Sequence, residues 1–264
     1  MESLSIRVLL GLLLIVIPLY LFYAIGMKRL NTFVVSVVRM GIQLAVAGMY
    51  MYWLFDVNNP WLNLLWLLLM CGVTTGMVVQ QARLSYKNAF LPLYVSILVA
   101  ALLISLYIVR LVMNVEQVFT ARWFIPVNVL FLSLSAETLG RVLREYYIGL
   151  IRFREHYYYK VGNGASWIQA VAPILRRALD RGYLRVSQCL SLCGLVVFPG
   201  VFIGLLMMDA NPWYAVVVTA VLLVATLAFQ VLAIVLSVFL TQRIVTTLRG
   251  QITDIIIDKH LLRP

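Results

Sequence analysis

Long apolar stretches separated by short polar breaks dominate the hydrophobic pattern of this chain. A helix needs about 20 apolar residues to cross the hydrocarbon core of a membrane at about 1.5 Å rise per residue. Seven stretches of about that length lie at residues 4–25, 33–55, 61–79, 91–113, 123–147, 187–208 and 213–240. The pattern therefore predicts an all-α membrane protein of about seven transmembrane helices.

The composition supports a membrane protein. Hydrophobic residues make up 63% of the 264 residues and charged residues 12%, so one ordinary soluble core could not bury the apolar surface. The net charge of +11 would suit a nucleic-acid binder among soluble proteins, but here no nucleic-acid partner is expected. We expect a single transmembrane domain over residues 1–264, contacting lipid in a bacterial cytoplasmic membrane.

The distribution of basic residues predicts the orientation. The polar breaks alternate between basic and non-basic, and positive charges accumulate on the cytoplasmic side of membrane proteins. Placing every basic break inside leaves only Arg7, Arg110 and Arg122 outside, of 21 lysines and arginines. The N-terminus is then outside and the C-terminus inside. The first stretch is interpreted as a retained span rather than a cleaved signal peptide.

The break at residues 149–186, called here the connecting segment, is long enough to form short amphipathic cytoplasmic helices. Gly162 and Gly164 allow a sharp turn, and Ser166 with Gln169 forms a capping-box pattern at the start of a helix. Pro173 is expected to divide that helix in two. The segment could rest on the inner leaflet, or it could be a coupling helix seated in a groove of an ATPase.

The sixth apolar stretch carries unusual residues for a spanning helix. In a continuous helix Ser187, Ser191 and Gly194 share one face, Pro199 kinks the helix near mid-membrane, and Gly200 with Gly204 forms a GxxxG packing motif. These features fit either a structural kink with a packing face or a lining of a transport pathway. Cys189 and Cys193 lie one turn apart and could offer thiolates to a soft metal, although buried inert thiols fit as well.

Polar side chains inside the other stretches are further candidates. Arg39 lies one turn from Gln43 near the inner end of the second stretch and can snorkel to the interface. Glu137 in the fifth stretch is a functional candidate, although Arg141 at i+4 could simply pair with it. Further polar residues at membrane depth need a hydrogen-bonding partner or water; they are Asn128, Gln188 and Gln230. Each of them fits a helix–helix hydrogen bond better than a substrate ligand.

The common catalytic motifs are absent from the sequence. There is no GxxxxGK[ST] phosphate loop, no HExxH and no GxSxG. His156 and His260 are far apart, and the three cysteines have neither zinc-site nor disulfide spacing. We therefore expect no intrinsic enzyme activity, no metal site and no cofactor bound by this chain.

Four short motifs occur in an order that resembles a known family. They are VRMGIQL at residues 38–44, GAS at 164–166, GLVVFPG at 194–200 with Gly204, and the Asp209–Pro212 turn. The chain resembles FetB-like permeases of bacterial iron-export ABC transporters, which are related to plant aluminium-tolerance permeases. It differs by having Ser191 where that family has a lysine and Gln188 where it has an acidic residue.

The resemblance implies an ABC permease that exports a metal ion (iron) or another small solute. It implies a homodimer, or a heterodimer with a related permease, and separate ATPase subunits that bind ATP and Mg. The implied ATPase-coupling residues are Gly162, Gly164, Ala165, Ser166 and Trp167. Pathway or hinge candidates are Arg39, Gln43, Glu137, Gln188, Ser191, Gly194, Pro199, Gly200 and Gly204. Two rival hypotheses are a non-transporting scaffold that docks a cytoplasmic protein and an intramembrane enzyme that uses Glu137.

Overall fold

A computed structural model describes residues 11, 13–26, 30–195 and 197–245 of the chain. Within these residues the secondary structure is helical and contains no strand, and an isolated β-bridge joins Cys193 to Val197. The chain divides into two compact units, Met1–Val57 and Asn58–Pro264.

Two apolar helices lie in the described part of the first unit. They are α1 (Val16–Ala24) and α2 (Leu30–Val57). The ring of Phe22 meets the ring of Phe33 edge to face, with centroids 5.1 Å apart. Nearly all side chains of α2 are at least partly exposed, as expected for a helix whose apolar surface is covered by lipid.

The second unit contains the remaining helices and most of the core. They are α3 (Pro60–Ala82), α4 (Tyr86–Leu106), α5 (Ala121–Arg152), α6 (Arg154–Gly162), α7 (Trp167–Gly182), α8 (Leu184–Ser191), α9 (Gly200–Met207) and α10 (Pro212–Val245). A π-helical segment, Tyr107–Val112, extends α4. The core is formed where α3, α4 and α10 pack around α5. Inside this core, the ring of Phe131 of α5 stacks on the ring of Phe229 of α10, with centroids 5.8 Å apart.

The turn before α3 also organises the start of α5. Asn58 adopts a left-handed φ of 41°, and its side-chain oxygen accepts a hydrogen bond from the Ala121 N–H at 2.9 Å. Asn63 donates its amide to the Phe119 carbonyl at 2.7 Å. Because Asn58 satisfies a free donor at the N-terminus of α5, the two turns on this side are held together.

Five of the predicted spans are confirmed as helices long and apolar enough to cross a membrane. They are Leu30–Val57, Pro60–Ala82, Tyr86–Val112, Ala121–Arg152 and Pro212–Gln242. The first predicted span lies partly outside the described residues. The possible amphipathic tail at 249–264 lies wholly outside them. The total of seven spans and the orientation stay predictions.

The sixth predicted span is not a continuous helix. Its described residues form two eight-residue helices, α8 and α9, and residues 192–195 and 197–199 between them are not helical. Gly194 has a left-handed φ of 87°, which a helix cannot contain, and Pro199 precedes α9 without an N–H to donate. The expected kink is therefore a break, and Gly194 does not share a helical face with Ser187 and Ser191.

The expected division of α7 at Pro173 is wrong, because α7 runs unbroken from Trp167 to Gly182. Proline inside a helix removes one backbone hydrogen bond and costs about 3 kcal/mol. The residues of α7 that are buried on both sides of Pro173 offset that cost; they are Ala170, Val171, Ile174 and Ala178.

Candidate functional site

The tight turn between α6 and α7 contains the predicted coupling residues. Gly164 has a left-handed φ of 83°. Its N–H bonds to the Val161 carbonyl at 3.0 Å, and the Ala165 N–H bonds to the Lys160 carbonyl at 3.0 Å. This is a Schellman motif, in which the position of Gly164 strongly favours glycine. Gly164 is thus required by the fold of the turn, whatever binds there.

The predicted capping box at the start of α7 is confirmed. The Ser166 hydroxyl accepts from the Gln169 N–H at 3.4 Å, and the Gln169 side-chain oxygen accepts from the Ser166 N–H at 3.0 Å. The N-cap Ser166 therefore lies two residues after the left-handed Gly164, and α7 begins at the next residue, Trp167. The turn is compact and has its backbone hydrogen bonds largely satisfied.

Helix α7 is packed along the C-terminal half of α5. Gly182 lies so close to α5 that a Cβ added to it would be 2.2 Å from Val142 Cγ2 and 3.2 Å from Val142 Cα. A Cβ on Gly149 of α5 would be 3.0 Å from Ile174 Cγ2. Trp167 packs edge to face on Phe239 of α10, with centroids 6.3 Å apart. The turn is thus attached to two long helices of the core.

The side chains around this turn leave an exposed surface, called here the turn surface. It comprises Tyr159, Gly162, Ala165 and Ile168. Tyr159 is 71% exposed and Ile168 is 61% exposed, whereas Ala165 is half-buried. Exposed large apolar side chains that form a patch mark a surface that binds another protein or lies against a membrane.

The break between α8 and α9 has a defined backbone structure. The Gly194 N–H bonds to the Val197 carbonyl at 3.0 Å, and the Val197 N–H bonds to the Leu192 carbonyl at 3.1 Å. Gly200 and Gly204 of α9 would meet no atom within 4 Å if a Cβ were added. Their predicted close packing therefore has no partner among the described residues.

A cavity of about 380 Å³ lies beside this break. Helix α5 contributes Leu130 and Leu134, and α10 contributes Thr219, Leu222 and Leu223. The broken element contributes Cys189, Leu190, Cys193, Val197, Pro199, Gly200 and Val201. Of the predicted pathway residues, Pro199 and Gly200 line this cavity, whereas Gln188, Ser191 and Gly194 are not among its lining residues.

The remaining predicted pathway residues are placed elsewhere. Arg39 and Gln43 are exposed and lie one turn apart on α2, in the first unit. Gln188 and Ser191 are exposed, and the Ser191 hydroxyl donates to the Gln188 carbonyl at 2.8 Å. Cys189 and Cys193 both line the cavity, but no group of three or more His, Cys, Asp or Glu suited to a metal occurs in the described part of the chain.

Glu137 connects the core to the broken element. Its carboxylate accepts hydrogen bonds from Arg141 on α5 and, at 2.9 Å, from Arg185 at the start of α8. The pairing with Arg141 was predicted from the i+4 spacing, whereas the pairing with Arg185 was not visible in the sequence. Glu137 is 60% exposed, so the ion pairs are partly screened by solvent.

Removing the contact between Glu137 and Arg185 should have a small, measurable effect. A double-mutant cycle of Glu137→Gln and Arg185→Gln is expected to give a coupling energy of about 0.5 kcal/mol, because exposed ion pairs contribute little. Chemical unfolding of the purified protein in one detergent measures it. A cycle on Arg181 and Glu145, which are paired at 3.1 Å, is the matched comparison. A coupling energy of zero for Glu137 and Arg185, with a measurable one for Glu145 and Arg181, would show that Arg185 does not position α8.

Several buried polar groups lie on α5 and α10; the sequence had indicated Asn128 and Gln230 as polar residues that need a partner, whereas Ser135 and Thr219 were missed. Asn128 Oδ1, Ser135 Oγ, Thr219 Oγ1 and Gln230 Oε1 are buried and have no hydrogen-bond partner in the described structure. Gln230 donates its amide to the Leu134 carbonyl at 3.3 Å. Asn128 and Ser135 lie seven residues apart, which places both on one helix face; that spacing was the available signal.

Tyr183 joins α7 directly to α8. Burial raises the pKa of the Tyr183 phenol to about 12, so the side chain is neutral at physiological pH. Its hydroxyl also has no hydrogen-bond partner among the described residues. The link between the connecting segment and the broken element is therefore an uncharged, partly buried ring.

Comparison with known proteins places the chain in one family. A family model described as UPF0014, an uncharacterised protein family, matches residues 5–245. The UPF0014 membrane protein YjkA of Bacillus subtilis (strain 168) is 25% identical over 260 residues, covering 96% of this chain and 98% of YjkA. No solved structure matches the chain significantly.

Proposed function

Because the chain belongs to the UPF0014 family of membrane proteins, we propose that it is the membrane-spanning permease subunit of an ABC transporter. The observation that carries the proposal is the turn surface. It presents exposed apolar side chains on a turn held by a Schellman motif and a capping box. It is also connected through α7 to α5 and to the broken element, so a force applied to it could be transmitted into the spans.

The length of α5 supports a location outside the membrane for the connecting segment. The helix has 32 residues, which is about 48 Å at about 1.5 Å per residue. The hydrocarbon core is about 30 Å thick, so the charged C-terminal part of α5 extends beyond it. With the basic residues inside, as the positive-inside rule favours, this part of α5 and the turn surface are cytoplasmic.

The proposed mechanism couples the turn surface to the break between α8 and α9. Closure of two ATPase subunits on ATP would move the turn and α7 together, because α7 is held by the capping box. Helix α7 continues through Tyr183 into α8, whose Arg185 is paired with Glu137 of α5. The break between α8 and α9 would absorb the motion and change access to the adjacent cavity.

The substrate of the proposed transporter is a metal ion or another small solute. Iron is the leading candidate because of the sequence motifs shared with iron-export permeases. Element analysis of cells with and without the intact transporter would identify a metal substrate directly. Accumulation of iron in cells lacking the protein supports iron export, and unchanged metal content would direct the search to other solutes.

Co-purification with an ATPase tests the permease assignment. The tagged chain is expressed together with a candidate ABC ATPase from the same genome and purified in mild detergent. The expected result is a stable complex of permease and ATPase subunits, in which ATP hydrolysis exceeds that of the ATPase alone. Purification of the chain as a stable monomer that never retains the ATPase would overturn the proposal and favour a scaffold.

A further inference from the structure

A second cavity, of about 150 Å³, lies between the C-terminal part of α5 and α7. It is separate from the cavity beside the broken element, and its lining contains three arginines. The lining residues are Glu145, Ile148, Gly149, Arg152, Phe153, Ile174, Arg177, Ala178 and Arg181. We call it the arginine cavity.

Two of the three guanidinium groups are held in place by neighbours. Arg181 is paired with Glu145 at 3.1 Å. Arg177 lies over the ring of Phe153, 4.7 Å from its centroid, a contact that orients the guanidinium without neutralising it. Within the described residues, neither Arg152 nor Arg177 forms an ion pair with a carboxylate. With one carboxylate and three guanidinium groups, the lining has a net charge of +2.

We propose that the arginine cavity binds the phosphate group of an anionic ligand. Guanidinium groups offer paired N–H donors that match the oxygens of phosphate, and they stay charged at any physiological pH. The cavity has room for a phosphate group but not for a whole lipid or nucleotide, so the remainder of the ligand would extend through its opening. The excess positive charge provides the electrostatic complement that an anion requires.

The position of the cavity allows a lipid headgroup or a soluble phosphate as the source of this group. Glu145 lies 24 residues after Ala121 at the start of α5, which corresponds to about 36 Å along the helix. A bilayer including its headgroups is about 40–45 Å thick. With Ala121 at the outer headgroups, the cavity lies at the level of the inner headgroups, where basic pockets between helices bind anionic lipids.

Three variants of the whole protein test the proposal. Arg177→Gln and Arg152→Gln each remove one cationic group from the cavity. Arg152→Gln keeps the test usable if Arg177→Gln fails to fold, because Arg152 makes no ion pair or ring contact in the described residues. Arg176→Gln is the matched control, since Arg176 is an exposed neighbour on α7 that does not line the cavity.

Thermal unfolding in detergent is measured while phosphatidylglycerol, phosphatidylcholine or inorganic phosphate is titrated. Wild type and Arg176→Gln are expected to be stabilised by phosphatidylglycerol and not by phosphatidylcholine. Arg177→Gln and Arg152→Gln should each need about tenfold more of the anion, since a charge-assisted hydrogen bond contributes about 1.5 kcal/mol or more. The same pattern with inorganic phosphate alone identifies a soluble source.

The proposal is overturned by any of three results. The first is that the wild-type protein binds neither phosphatidylglycerol nor inorganic phosphate. The second is that Arg177→Gln or Arg152→Gln binds the anion as tightly as the wild-type protein does. The third is that Arg176→Gln loses as much affinity for the anion as the cavity variants do, which would indicate only a diffuse attraction between a basic surface and anions. None of these results depends on the ATPase, so the experiment tests phosphate binding independently of the proposed transport function.

Discussion

Replacing Gly182 with leucine is expected to separate α7 from α5 and to destabilise the protein by about 3 kcal/mol, the upper end of the usual cost of overpacking. The Cβ of any larger residue would lie 2.2 Å from Val142 Cγ2 and 3.2 Å from Val142 Cα. The Val142 side chain can rotate away, but its Cα belongs to the backbone of α5. The helices must therefore move apart, which exposes the buried side of α7.

Thermal unfolding and limited proteolysis measure this effect. The Gly182→Leu protein should melt several degrees below wild type and should be cut faster at the turn of residues 163–165. Gly204→Leu is the control, because an added Cβ at Gly204 meets nothing within 4 Å. A Gly182→Leu protein with wild-type melting and cleavage would show that close packing at Gly182 does not hold the connecting segment.

Local interactions explain why the α6–α7 turn could be predicted from sequence. A capping box needs only residues three apart, so Ser166 and Gln169 indicate the start of α7 without knowledge of the rest of the fold. The left-handed Gly164 is likewise favoured by the short-range hydrogen bonds at the end of α6. The turn therefore has the geometry that its own residues dictate.

The continuity of a helix depends on more than its proline residues. Pro173 was expected to divide α7 but does not, because burial of Ala170, Ile174 and their neighbours against the rest of the fold offsets one lost hydrogen bond. Pro199 was expected only to kink a span, yet there the helix is fully interrupted beside the left-handed Gly194. Hydropathy cannot distinguish these outcomes, because both segments contain enough apolar residues for a helix.

Contacts between distant parts of the chain were beyond sequence reasoning. The pairing of Glu137 with Arg185 spans 48 positions, and the three arginines of the arginine cavity come from α5 and α7. Sequence spacing reveals neighbours on one helix, such as Glu137 and Arg141. It does not reveal how α7 and α8 lie against α5, and this determines both the ion pair and the cavity.

Replacing Ala165 with glutamate is expected to abolish ATPase coupling while leaving the fold intact. Ala165 is half-buried at the turn surface, and only its backbone N–H is used in the Schellman motif, so a longer side chain can extend outward. A carboxylate buried at an apolar interface without a partner costs at least about 2 kcal/mol, which corresponds to about thirtyfold weaker binding. Because each copy of a dimer would present this defect, stimulated ATP hydrolysis should fall to that of the ATPase alone.

The turn between α9 and α10 supplies a closely matched control for this substitution. Asp209 has a left-handed φ of 57°, and the Ala210 N–H bonds to the Leu205 carbonyl at 3.1 Å, so Ala210 occupies the same position of a Schellman motif as Ala165. Ala210→Glu therefore makes the same chemical change in the same local geometry, but on the side of the protein predicted to face outward. Both variants should have the melting temperature of the wild-type protein, and only Ala165→Glu should lose the ATPase in a pull-down. Equal retention of the ATPase by the two variants would place the coupling surface elsewhere, and equal loss would trace the effect to the altered turn rather than to docking.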